Sequence, residues 1–390
     1  MSIAQLNEAE LLAAAEQATG LSDWGGDQSF RTGLGHLIEG VNAMQPAAAF
    51  VEQARQRIVG SLGTLLHFVD DGKRHPEILE LKIDKPMIVI GLPRTGTTVL
   101  YDLLALDPSV RTPRDWEFFL PWPAPEAATW DADPRIAQIN ALNQQILAIA
   151  PALADIHEFE ATHSSECNLA FTHHFASTQF TAEWAVPEFQ KWLLSGPVPG
   201  RYAAHKRILQ QLQWKGPKGR WLLKSPEHLF NLEGLLGAYP DANLVWTHRD
   251  PVMALSSLSS FLLQFRTVFG LDNDPKIVGR AVFETWTTAM ERGVQSRARD
   301  ASIDARIIDI SHRDVIADKL DVVRKIYARF DLPFTPELEA RVRAEAEAAD
   351  TTRFGRLGKH KHDPKNFGID IAAVRERMPT YYARFGALFE

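Results

Sequence analysis

Met87-Ile88-Val89-Ile90-Gly91-Leu92-Pro93-Arg94-Thr95-Gly96-Thr97-Thr98-Val99-Leu100-Tyr101-Asp102-Leu103-Leu104 is the stretch on which the fold turns. Its first four residues form a continuous apolar run, which suits a strand buried on both faces. Val99 to Leu104 carries helical spacing. Between them lies a tight loop rich in glycine and threonine, with one arginine. A strand, a loop and a helix N-terminus in that order present outward-pointing N–H groups and a favourable helix dipole, so the element can hold a phosphate without a large basic patch. A Walker loop would place Lys immediately before its final Ser or Thr; here that position is Thr97, and the cation stands upstream at Arg94. The plainer alternative is a glycine turn with no ligand. The gathering of three hydroxyls and an arginine beside the orphan amides favours an anion.

Three later runs resemble the first strand: Trp221-Leu222-Leu223, Asn243 to Thr247, and Ala305 to Ile310. Each lies near segments of helical periodicity, so the reading is an α/β fold, a three-layer arrangement around a mainly parallel sheet with ligands at the carboxyl ends of the strands. Residues 1–85 read as a helical N-terminal extension. Within it Gln5 to Thr19 has helical spacing ending at Gly20, and Ser22 and Asp23 offer caps for another helical stretch. Residues 86–390 read as the catalytic domain, in which about 130–214 has helical and aromatic signals and reads as an inserted cap shaping an acceptor pocket. No repeat, low-complexity tract or long linker is seen.

The chain has 390 residues, 45% of them apolar and 23% charged, enough to bury a large core. A net charge of −7 argues against a general nucleic-acid-binding surface. Cys167 is the single cysteine, so neither an intrachain disulfide nor a cysteine-based zinc site can form. The acidic, alanine-rich start lacks the pattern of a secretory signal, and no uninterrupted apolar run is long enough to span a bilayer. The expectation is a cytoplasmic protein without an integral membrane segment. A homo-oligomer remains open, because an interface patch and a core face look alike in one sequence.

Pro93-Arg94-Thr95-Gly96-Thr97-Thr98 resembles the phosphosulfate loop of the sulfotransferase superfamily, whose fold is of the P-loop-like type. Leu103 to Pro108, Arg111-Thr112-Pro113 and Trp116-Glu117 are similar to the bacterial branch that uses Arg in that loop. The resemblance implies 3′-phosphoadenosine-5′-phosphosulfate (PAPS) as co-substrate, with Arg94, Thr95, Gly96, Thr97 and Thr98 at its 5′-phosphosulfate. It also implies that Arg249, at a strand end, and Ser257, eight residues on, hold the 3′-phosphate. Read alone, Arg249 beside Asp250 would be a surface ion pair. Lys224 closes the run Trp221-Leu222-Leu223 and is similar to the strand-end lysine that sits near the bridging oxygen. A fixed ammonium there stabilises the charge that develops as the phosphosulfate bond breaks; the alternative is a solvated strand-end lysine. The basic strip Arg353 to His362, with Arg353 and Arg356, resembles the C-terminal pattern of the bacterial branch and would fold over the 3′-phosphate. Phe367-Gly368 of that pattern is retained, and His362 stands where Tyr is usual.

The implied reaction is in-line transfer of a sulfuryl group to a hydroxyl or amine of a small-molecule acceptor, with no metal, releasing adenosine 3′,5′-bisphosphate. Glu117 is the first choice of base, by its resemblance in position to the catalytic glutamate of related sulfotransferases. His157, His163, Glu166 and His228 compete for the role. Two rivals stand beside this reading. One is a phosphate-loop kinase or NTPase with a degenerate loop, which needs magnesium and a carboxylate on a neighbouring strand, for which Asp309 is available. The other is a scaffold that binds nucleotide without turnover.

Overall fold

A computed structural model describes residues 5–155, 158–270, 274–348 and 362–389. Five parallel strands form one sheet in the order β2-β3-β1-β4-β5: β1 Met87–Gly91, β2 Val110–Arg111, β3 Arg220–Lys224, β4 Asn243–His248 and β5 Ile307–Ser311. β1 is central, with Met87 opposite both Leu222 of β3 and Asn243 of β4. Alternate residues go to opposite faces, as the pleat requires. Ile88, Ile90, Trp221, Leu223, Leu244 and Trp246 join one core. Met87, Val89, Leu222 and Val245 join the other, with Leu100 and Leu103 of the loop helix and Val322, Val323 and Ile326 of the helix Lys319–Arg329. Helices therefore cover both faces, giving the three-layer α/β architecture. β2 was not anticipated: two residues pairing with β3 at the sheet edge carry too little pattern to read.

The described part of residues 1–85 is helical, with Glu8–Thr19, Phe30–Ala43, Ala48–Arg74 and the short Glu77–Glu80. The first helix begins at Asn7, whose side chain accepts from the Glu10 N–H, and ends where Gly20 adopts the left-handed conformation. Ser22 and Asp23 do not cap a helix, contrary to expectation; Asp23 accepts from the N–H of Gly25 in a turn, and the next helix starts at Phe30. These helices share a hydrophobic core with Phe175, Phe180, Trp184, Phe189 and Leu193 from the later helical region. The buried Glu183 meets Arg57 across the same junction. Among the described residues between 130 and 214 there are helices and no strand; the longest are Pro134–Ile149 and Arg201–Lys215. No described helix is long and apolar enough to cross a membrane.

Candidate active site at the carboxyl edge of the sheet

The loop after β1 folds because two glycines permit it. Gly91 has φ +140° and a Cβ there would stand 2.5 Å from Thr247 Oγ1; Gly96 has φ +87° and a Cβ would come within 3.0 Å of His312 Cδ2. Arg94 itself takes the left-handed region at φ +70°, a cost usual at functional turns. Thr95 anchors the loop from inside, its hydroxyl donating to Leu92 O at 2.7 Å and lying 2.6 Å from Thr247 Oγ1 on β4. The helix Thr97–Leu104 then starts with no side-chain cap, leaving its first amides toward the loop.

The ends of β3 and β4 bring cations and hydroxyls to this loop. Arg94 Nε donates to Ser257 Oγ at 3.2 Å, on the helix Pro251–Thr267 that follows β4. Arg249 Nη1 donates to the carbonyl of Arg94 at 2.9 Å. Burial lowers the pKa of both guanidiniums, and for Arg94 the nearby Arg249 adds to it. Among the described residues neither has a carboxylate within ion-pair distance, whereas the buried Arg111, Arg135, Arg201 and Arg297 each do. Lys224, at the end of β3 and only 3% exposed, donates from Nζ to Thr98 Oγ1 at 3.1 Å and pairs with Glu166 Oε1 at 2.9 Å. Two guanidiniums without carboxylates, an ammonium and an uncapped helix start together fit a ligand with more than one anionic group.

Glu117 does not join this group. Its side chain is fully buried, Oε1 accepts from Arg111 Nη2 at 2.6 Å, and Oε2 accepts from the backbone N–H of Arg114 at 2.9 Å. Both oxygens hold the turn before the helix Asp115–Phe119, so Glu117, the first choice of base from the sequence, is buried and engaged rather than open toward the cations. Glu166 stands beside Lys224, because residues 163–165 run back along 113–115: Ser165 N donates to Pro113 O at 2.7 Å, and Arg114 bridges Ser164 in antiparallel fashion. His163 faces Glu158 and Glu160 at 3.5 and 3.2 Å. His228 is buried against Tyr202 and His205, and burial pushes its pKa well below the usual histidine range. His157, Arg353 and Arg356 lie outside the described residues.

Two further histidines lie near this site, and only the second has a signal in the sequence. His312, directly after β5, lies against Gly96; burial, with Arg249 nearby, pushes its pKa down to about 4, so it is neutral at pH 7. His362 closes the basic strip expected near the 3′-phosphate, and its Nδ1 is 2.8 Å from Ser256 Oγ, next to Ser257. Asp309, the carboxylate a kinase reading would use, is held by both terminal nitrogens of Arg297 at 2.6 and 2.7 Å and by His248 at 2.8 Å.

The sequence model of the Sulfotransferase family matches residues 86–336. Omega-hydroxy-beta-dihydromenaquinone-9 sulfotransferase Stf3 of Mycobacterium bovis is 22% identical over 267 residues, 64% of this chain. The match spans 63% of that relative's own length, and the Mycobacterium tuberculosis protein of the same name matches equally. Sulfotransferase STF1 from Mycobacterium tuberculosis H37Rv superposes with a TM-score of 0.80 at 29% identity, covering 97% of this chain and 99% of that one. Sulfotransferase STF9 from Mycobacterium avium gives 0.83 at 27% identity, covering 98% and 96%.

Proposed function

This chain belongs to the sulfotransferase family, and from that premise we propose that it transfers a sulfuryl group from PAPS to a hydroxyl or amine of a small-molecule acceptor in the cytoplasm. The observation that carries the reading is the pair Arg94 and Arg249, two partly buried guanidiniums with no carboxylate within ion-pair distance among the described residues, although Asp250 acts on Arg249 from farther away. Arg94 and the amides of Thr95, Gly96, Thr97 and Thr98 hold the 5′ end of the donor. Arg249 and Ser257 hold its 3′-phosphate. Lys224 stabilises charge on the bridging oxygen as it departs, and needs no metal to do so. Glu166, one third exposed and anchored on Lys224, accepts the acceptor's proton in place of Glu117. The helical region 130–214 shapes the acceptor side. The menaquinone derivative in the name of the curated relatives suggests an acceptor alcohol of lipid character for this chain too.

Calorimetric titration tests this reading, with adenosine 3′,5′-bisphosphate and separately with ATP plus magnesium, on the wild type and on Arg249→Ala. Binding of the bisphosphate that weakens at least tenfold in the variant is the expected result. Tight magnesium-ATP binding with indifference to the bisphosphate would overturn it in favour of a kinase. Bisphosphate binding with no transfer to any alcohol or amine would leave the chain a nucleotide-binding scaffold.

A further inference from the structure

From Ile136 through Ala154 the chain runs nineteen residues without one Asp, Glu, Lys, Arg or His, in a protein whose residues are 23% charged. The segment covers nearly all of the helix Pro134–Ile149 and the turn after it. It is not neutral because it is buried. Leu142 is 40% and Ile149 58% exposed, and Ala148, Pro151, Ala152 and Ala154 are exposed too. A solvated helix face ordinarily carries charge, so a neutral, partly apolar one asks for an apolar occupant.

The position of this segment says which occupant. Its inner side packs on the far end of the helix Pro251–Thr267, where Ala150, Leu153 and Phe265 are buried and are ringed by half-buried Ile146, Leu147, Phe159 and Phe261. Residues four apart on a helix share a face. Ser257, Phe261 and Phe265 therefore form one line, and that line begins where Ser257 meets Arg94 of the phosphate loop. Phe261 also packs on the main core behind the loop. An apolar line thus runs along this helix from beside Arg94 to the neutral surface of the cap, with Phe265 buried and Phe261 and Phe159 half-buried on it.

We propose that this line is a subsite for the hydrocarbon chain of the acceptor, and that the acceptor is an amphiphile: an alcohol whose hydroxyl reaches Lys224 and Glu166 while its apolar tail lies along Phe261, Leu147 and Ile146 and leaves over Ile149. The proposal rests on the reading of the chain as a sulfotransferase and names the class of its acceptor.

The test uses the full chain saturated with adenosine 3′,5′-bisphosphate, titrated with the straight-chain alcohols hexan-1-ol, octan-1-ol, decan-1-ol and dodecan-1-ol. Affinity should rise about twofold to fourfold for each added methylene, the increment expected when each is partly to fully withdrawn from water. Leu147→Glu should flatten that rise, and Leu147→Met should keep it. Equal affinity across the series in the wild type, or no alcohol binding at all, overturns the proposal while bisphosphate binding leaves the donor reading standing. Failure to bind the bisphosphate would instead condemn the donor reading itself. Unchanged bisphosphate affinity in Leu147→Glu certifies that the variant is folded; if it is lost, the wild-type series alone decides.

Discussion

Glu166 Oε1 stands 2.9 Å from Lys224 Nζ, which in turn donates to Thr98 Oγ1 at 3.1 Å. The pair joins the helical region to a strand end and to the phosphate-loop helix. It puts a proton acceptor beside the cation proposed to assist departure of the leaving group. Glu117 is held elsewhere by Arg111. The two glutamates should therefore separate cleanly. Glu166→Gln is expected to lower kcat by about 100-fold or more, the usual range for a positioned base, with the thermal midpoint little changed. Glu117→Gln should instead cost about 3–5 kcal/mol of stability, because it strands a buried guanidinium. Steady-state kinetics beside thermal melts of both variants decide; a Glu117→Gln enzyme that is stable and inactive would return the role to Glu117.

Lys224→Met should affect turnover far more than donor binding. The ammonium is proposed to act on charge that appears only as the bond breaks, so about 100- to 1000-fold is expected to be lost from kcat. Adenosine 3′,5′-bisphosphate affinity should fall by less than tenfold. Equal losses in both measurements would make Lys224 an ordinary binding residue.

Much of the sheet was legible because β1, β3 and β4 are buried along almost their whole length and each carries a continuous apolar run, while β5 was legible from its isoleucines although Asp309 interrupts them and Ile308 and Asp309 are only half-buried. β2 was not, since Val110 and Arg111 are strand only through their pairing with Arg220 and Trp221. The loop was legible for the same local reason: glycines and threonines sit next to the strand they follow. Glu166 was visible only as one of several competitors, because its position depends on the pairing of Ser164 with Arg114, a contact distant in sequence. The contacts of Glu117 with Arg111 and the Arg114 N–H were not legible, because resemblance in position says nothing about which way a short helix faces. His312 gave no signal at all, as its contact with Gly96 exists only once β5 is placed beside β4.

Gly96→Ala should damage both stability and donor binding. The φ of +87° is costly for a residue with a Cβ, roughly 1–2 kcal/mol, and the new methyl meets His312 Cδ2 at 3.0 Å. Adding His312→Ala relieves the contact and leaves the backbone cost. A partial recovery of the thermal midpoint in the double variant is the expected outcome. No recovery would mean that the histidine ring swings aside freely and does not brace the loop.

Acid should unfold this protein through histidines buried in the neutral state. Burial pushes His173 down to about 4 and His205 to about 3, the latter with help from Arg201. His173 bonds through Nε2 to Phe118 O at 2.8 Å, and His205 bonds through Nδ1 to the hydroxyl of Tyr239 at 2.6 Å. The unfolded chain protonates each near 6.5, while the folded chain does not until pH approaches the lowered values. Their contribution is thus complete above pH 6.5 and is lost as pH falls through that window toward 4 and 3. Each histidine adds up to about 1.4 kcal/mol of loss per pH unit inside the window. Urea unfolding at pH 7.5, 6 and 5 should give falling stabilities, and His173→Gln, whose amide can still donate to Phe118 O, should make that fall shallower by close to one proton. An unchanged slope in the variant would mean that His173 is already charged in the fold, or that it stays neutral in the unfolded chain.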